Sequence, residues 1–107
     1  MKTVEMPRAD ELQESGKVLK WLKKLGDQVK EGEPIVEVMS EKVTFELTAT
    51  ASGVLHSIFV NEEIDVPVGK AIALISQPGD DPMALDKSAR EVEKELEGLG
   101  VGVTKRR

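Results

Sequence analysis

One lysine in this 107-residue chain stands where an amine could do chemistry. Lys42 lies in Met39-Ser40-Glu41-Lys42-Val43-Thr44-Phe45, at the junction of two halves that resemble each other. Its ε-amine ends a flexible four-carbon stem and is a nucleophile once deprotonated. Acylation there would turn the stem into the base of a long arm. The plain alternative is a solvated lysine in a charged hairpin turn. Other reactive residue types are scarce. The chain has no cysteine, so disulfides and thiolate metal sites are excluded. His56 is the single histidine and shows no evident partner. It reads as an ordinary strand residue, because a lone histidine makes a poor metal or catalytic centre.

The elements that must position Lys42 come from an internal duplication. A shift of 37 positions places Gly16 on Gly53, Val18 on Leu55, Trp21 on Ile58 and Val29 on Val66. The same shift places Gly32 on Gly69, Ile35 on Ile72 and Val38 on Ile75. Each half is too short to bury its own apolar face, so the two must pack together. The result is a closed domain with internal twofold pseudosymmetry. The connection between halves then lies at one end and both termini at the other. Lys42 is in that connection. Trp21 pairs with an isoleucine in the duplication and is given a packing role. The paired glycines at 16, 53, 32 and 69 mark turns or bends.

Periodicity places the strands. Residues 2–7 read as the first and residues 8–15 as a polar loop or single turn. Strands follow at 16–22, from Val29 to near Gly32, and at 35–39. Glu41-Lys42 forms a turn, and 43–48 is the returning strand. Val43, Phe45 and Leu47 share one face; Thr44, Glu46 and Thr48 share the other. The hairpin tip lacks Asn-Gly or Asp-Gly, so ordinary turn propensity did not select Glu41 and Lys42. Strands at 53–60, 65–68 and 71–75 repeat the first half. The expected fold is all-β: a flattened eight-stranded barrel or sandwich of two pseudosymmetric four-stranded halves. Residues 1–76 form this domain, and 77–107 a linker with a helical or partly disordered tail. The helix spans 83–97 with Leu85, Ala89, Val92 and Leu96 on one side, and it reads as solvent-facing.

Composition narrows the class. Two Phe, one Trp and no Tyr leave the core to Val, Ile and Leu. The net charge of −5 disfavours nucleic acid, which needs a basic face. No stretch is long enough to span a membrane as a helix, and no secretion signal is visible. A soluble, cytoplasmic protein is expected.

These residues resemble the biotinyl/lipoyl domain family over about 2–76. The resemblance is carried by Met6-Pro7, Gly16-Lys17-Val18-Leu19-Lys20-Trp21-Leu22 and Gly26-Asp27-Gln28-Val29-Lys30-Glu31-Gly32-Glu33-Pro34-Ile35. It continues through Glu37-Val38-Met39-Ser40-Glu41-Lys42-Val43 and Gly53. Biotin carriers place the lysine between methionines, whereas lipoyl domains put an acidic residue before it and a small or aliphatic one after. Glu41-Lys42-Val43 is similar to the lipoyl version. Met39 departs from it, since glutamate is common there. Glu62-Glu63-Ile64 departs too, where Gly-Asp is usual, and a local difference in that turn is expected.

The resemblance implies lipoate attached covalently to Lys42, with Glu41 and Val43 read by a lipoate protein ligase. It implies that the 8–15 loop lies beside the lysine turn, with Arg8, Asp10, Glu11, Leu12 and Glu14 meeting partner enzymes. The loop acids also have the plain reading of solvated charges. The implied partners are a thiamine-dependent 2-oxo acid dehydrogenase (E1), an acyltransferase core (E2) and a dihydrolipoyl dehydrogenase (E3). On this reading the chain is a carrier module of the E2 component with no catalytic domain. The alternatives are a biotin carboxyl carrier of a carboxylase, an unmodified interaction module and a glycine-cleavage carrier.

Overall fold

Alternating apolar and polar residues give eight strands among the described residues, 1–8, 13–40 and 43–104 of a computed structural model. They are β1 (Lys2–Glu5), β2 (Ser15–Trp21), β3 (Gln28–Val29) and β4 (Pro34–Met39). Then come β5 (Thr44–Thr48), β6 (Gly53–Ile58), β7 (Ile64–Pro67) and β8 (Ala71–Ser76). One helix among the described residues, α1 (Pro82–Gly98), follows.

The strands form two four-stranded antiparallel sheets, ordered β1-β8-β6-β3 and β5-β4-β2-β7. The two orders are the same once each strand is exchanged for its counterpart in the other half. The pseudosymmetry extends to single hydrogen bonds. The Leu22 amide donates to the Ile35 carbonyl at 2.8 Å, and Phe59 to Ile72 at 2.9 Å. Gly26 donates to Leu55 at 2.9 Å, and Glu63 to Val18 at 2.7 Å. The turn at Glu63 therefore keeps the geometry of its glycine counterpart, against the expected local difference. Glu63 holds a φ of +69°, and Gly26 one of +85°. The bond to Val18 fixes the backbone there whatever side chain it carries.

Between the sheets lies a core of Val4, Val18, Val38, Leu55, Phe59, Ile75 and their neighbours, all buried. Each such side chain contributes about 1.5–3 kcal/mol by leaving water. Trp21 has the expected packing role: it lies against this core, and its indole N–H donates to the Val60 carbonyl at 2.9 Å.

The outer faces of the two sheets differ. Across the second sheet, Lys20, Glu37 and Glu46 align in register and form a charged row. In the first sheet, Ser57, Leu74 and Thr3 align at the equivalent positions. Leu74 is buried although its counterpart Glu37 is not. Helix α1 packs on β8 and accounts for this. Asp81 caps its start by accepting from the Met83 amide, with Pro82 in the first turn. Leu85, Ala89, Glu93 and Leu96 form its buried side. An ion pair links Lys70 to Glu95 at 2.7 Å, and His56 Nε2 lies 3.7 Å from a carboxylate oxygen of Asp86. Beyond the helix, Val101 and Val103 pack against the core, and the Thr104 amide donates to the Phe59 carbonyl at 2.8 Å.

The expectation of a solvent-facing helix is thus corrected. β8 runs Ala71-Ile72-Ala73-Leu74-Ile75, apolar on both faces, and a strand of that kind needs cover on both. The expectation that His56 lacks a partner is corrected as well. Its Nδ1 lies 2.6 Å from the Ser57 hydroxyl, and Asp86 faces its Nε2. Ser57 is fully buried, so this pair presents no reactive oxygen to solvent.

Candidate functional site

The hairpin β4–β5 is registered by Val38 opposite Phe45 and Met39 opposite Thr44. On its other side β4 is held by β2, with Lys17 opposite Met39 and Val18 opposite Val38. Val18 and Val38 are fully buried, so the last regular pairs of the hairpin are anchored in the core. Phe45 and Leu47 are half-buried and pack against that core, as expected from their shared face. Val43 departs from them: it precedes β5 and is 49% exposed.

Beyond Met39 the chain is closed by Ser40 and Val43. The Ser40 amide donates to the Val43 carbonyl at 2.9 Å. The Val43 amide donates to the Ser40 hydroxyl at 3.3 Å, and that hydroxyl donates to the Val43 carbonyl at 3.3 Å. Ser40 is buried, whereas Met39 and Val43 on either side of the tip are exposed. Only Glu41 and Lys42 link the bonded pair. Both lie outside the described residues, as do Asp10, Glu11 and Leu12 of the partner loop.

The described parts of that loop are its stems. Arg8 and Glu14 are exposed. The Glu14 carbonyl accepts from the Val68 amide at 3.0 Å, and Gln13 Nε2 donates to the Ser15 carbonyl at 3.0 Å. The loop enters β2 at Ser15, two residues before Lys17, the partner of Met39. Its C-terminal stem and the end of β4 therefore lie at one end of the same sheet. Among the described residues no group of three or more His, Cys, Asp or Glu could hold a metal ion. No helix among them is long and apolar enough to cross a membrane.

Ser40 is the residue that the sequence pattern did not single out. Its only signal is a residue type able to bond nearby backbone, placed just before a tip without glycine or asparagine.

The model of the biotin/lipoyl family, described as biotin-requiring enzyme, matches residues 2–75. The chain belongs to the biotinyl/lipoyl family. Over 79 residues, 74% of this chain, it is 44% identical to the dihydrolipoyllysine-residue acetyltransferase component of the pyruvate dehydrogenase complex of Mycobacterium bovis. Over 77 residues it is 39% identical to the dihydrolipoyllysine-residue succinyltransferase component of the 2-oxoglutarate dehydrogenase complex of Staphylococcus saprophyticus. The matched parts make up 14% and 18% of those two longer proteins. The solution structure of the lipoyl domain of the 2-oxoglutarate dehydrogenase complex from Azotobacter vinelandii superposes with a TM-score of 0.57 at 32% identity. That match covers 71% of this chain and 99% of the lipoyl domain. This biotinyl/lipoyl domain thus has the lipoyl-domain fold, with α1 following the family match.

Proposed function

We propose that the chain is a lipoyl carrier domain of the E2 component of a 2-oxo acid dehydrogenase complex, with lipoate joined to Lys42 through an amide. One observation carries this reading. A core-anchored hairpin is closed by Ser40 and Val43 with only Glu41-Lys42 between them, in a chain whose relatives are named for a dihydrolipoyllysine residue. The residues fit such a group. Met39 and Val43, on either side of the two linking residues, are exposed, and Ser40 at their base is buried.

Lipoate bound there would supply a dithiolane able to accept an acyl group together with two electrons, with the acyl donor, the acyl acceptor and the oxidant that restores the disulfide supplied by the partner enzymes. The chain's own residues do different work. Val18, Val38 and the strand pairs around them keep the hairpin rigid, so that a ligase meets a fixed shape. The stem of Lys42 extends the arm, and tethering converts encounters with successive active sites into local ones. Glu41 and Val43 are the residues a lipoate protein ligase would read. Arg8, Asp10, Glu11, Leu12 and Glu14 would help the E1, E2-core and E3 partners select this carrier. On this reading the domain is a cytoplasmic carrier and not itself the catalyst, and 77–107 is an appendage to the 1–76 unit.

Intact mass after coexpression with lipoate ligase, and separately with biotin ligase, tests the reading. A lipoyl increment in the first case only, abolished by Lys42→Arg, is expected. A biotinyl increment would assign the chain to a carboxylase. No increment in either case would leave an interaction module.

A further inference from the structure

We propose that Ser40 is a positioning residue for modification of Lys42, its hydroxyl closing the turn that presents the lysine. The inference rests on the lipoyl-carrier reading and names a residue that acts within it.

A two-residue hairpin link normally needs residues that accept positive φ, chiefly Asn-Gly or Asp-Gly. Glu41-Lys42 has neither. The structure shows what substitutes. One half of the closing pair is ordinary, with the Ser40 amide donating to the Val43 carbonyl at 2.9 Å. The other half uses a side chain: the Val43 amide donates to Ser40 Oγ at 3.3 Å. The same hydroxyl donates to the Val43 carbonyl at 3.3 Å. Both polar groups of the Val43 backbone are thus tied to residue 40. Residue 40 thus makes the closing contacts through both its amide and its hydroxyl, and the pair it closes around is the charged Glu41-Lys42.

The position of Ser40 strengthens the case. It is 8% exposed, so most of the residue is out of water, and its two hydroxyl bonds are partly buried. It directly follows Met39, which is paired on both sides by Lys17 and Thr44. The closure is therefore referred to the whole sheet rather than to a free loop. A ligase that must bring a lysine amine to an activated acyl group gains rate when that amine's base is already placed.

Unmodified wild type, Ser40→Ala, Ser40→Thr and Ser40→Val are to be compared for initial rate of lipoylation by lipoate ligase. The amide exchange of Val43 is measured on the same samples. Ser40→Ala and Ser40→Val should lose about five- to tenfold in kcat/KM, the scale of one neutral hydrogen bond. Ser40→Thr should stay within about twofold of wild type, because threonine keeps the hydroxyl that valine lacks at equal size. Val43 amide protection should follow the same order. Rescue by threonine but not valine is what a merely space-filling role would not produce. Wild-type rates in both Ser40→Ala and Ser40→Val overturn the positioning role while leaving the carrier reading intact. If wild type itself gains no lipoyl mass, the carrier reading fails and this inference falls with it.

Discussion

Glu63 occupies in the second half the turn position that Gly26 occupies in the first, and it holds the same left-handed backbone. Its φ is +69° against +85° for the glycine. A residue with a Cβ pays about 1–2 kcal/mol in that region. Glycine escapes this but loses more backbone entropy on folding, by about 0.5–1 kcal/mol. Glu63→Gly should therefore stabilise the fold by a net ~0.5–1 kcal/mol, a rise of a few degrees in Tm. Glu63→Val should lower Tm, since a β-branched residue suits positive φ least. Thermal denaturation of both variants checks this, and a destabilised Glu63→Gly would refute it.

The glycine pair Gly16 and Gly53 separates two kinds of close approach. A Cβ on Gly53 would lie 2.0 Å from the Ser76 backbone oxygen, within the β6–β8 pairing. A Cβ on Gly16 would meet the Met6 sulfur at 2.5 Å, the far end of a flexible side chain. Gly53→Ala should cost at least about 3 kcal/mol and Gly16→Ala only about 1 kcal/mol. Urea denaturation gives both values. Equal costs would show that Ser76 can move aside as readily as Met6.

Much of this architecture was legible because the duplication repeats the residues that cannot be exchanged. Val18 and Leu55, or Ile35 and Ile72, are the same kind of residue at the same place, and the strands followed from them. Two features were not legible, for different reasons. Glu63 shows a sequence change but no change of structure, since its amide bonds Val18 regardless of side chain. The packing of α1 on β8 was legible only by pairing two signals: Leu74 stands where Glu37 stands in the other half, and Leu85, Ala89 and Leu96 recur along one side of the helix. Reading the two together would have placed α1 correctly. At the site, Lys42 stood out by position and motif. Ser40 did not, because serine before a turn is common and only its bonds to Val43 give it a role.

The packed C-terminal segment predicts a coupling between helix and sheet. Leu96 is 1% exposed, and Leu96→Ala should cost about 3 kcal/mol. Leu74→Glu should cost more in the full chain, since it places an unpaired charge beneath α1. In a chain lacking residues 82–107 the same Leu74→Glu change should be nearly neutral, for its counterpart Glu37 already faces outward. Circular dichroism establishes that the shortened chain folds, and thermal melts give the four stabilities of the cycle. Independent effects of the two changes would mean that α1 does not cover Leu74.

Asp80 ties the first residue to the segment leading into the helix, and this contact should respond to acid. Both of its carboxylate oxygens lie near the N-terminal ammonium, at 3.0 and 2.9 Å, and one also accepts from the Gln77 amide at 2.7 Å. The hydrogen bond from the N-terminus, and then that from Gln77, hold its pKa below the ordinary 3.8. A carboxylate whose folded pKa is depressed binds fewer protons when folded than when unfolded. Its contribution is therefore fully present above the ordinary value and lost as pH falls through the lowered one. Wild type should melt higher than Asp80→Asn near neutral pH, and the gap should hold down to about pH 4 and close below it. N-terminal acetylation should narrow the same gap by removing the ammonium. Melting temperatures from pH 7 to pH 2 decide the matter. A gap that stays constant to the acid limit, or widens on acidification, would show that the Asp80 carboxylate does not stabilise the fold through its charge.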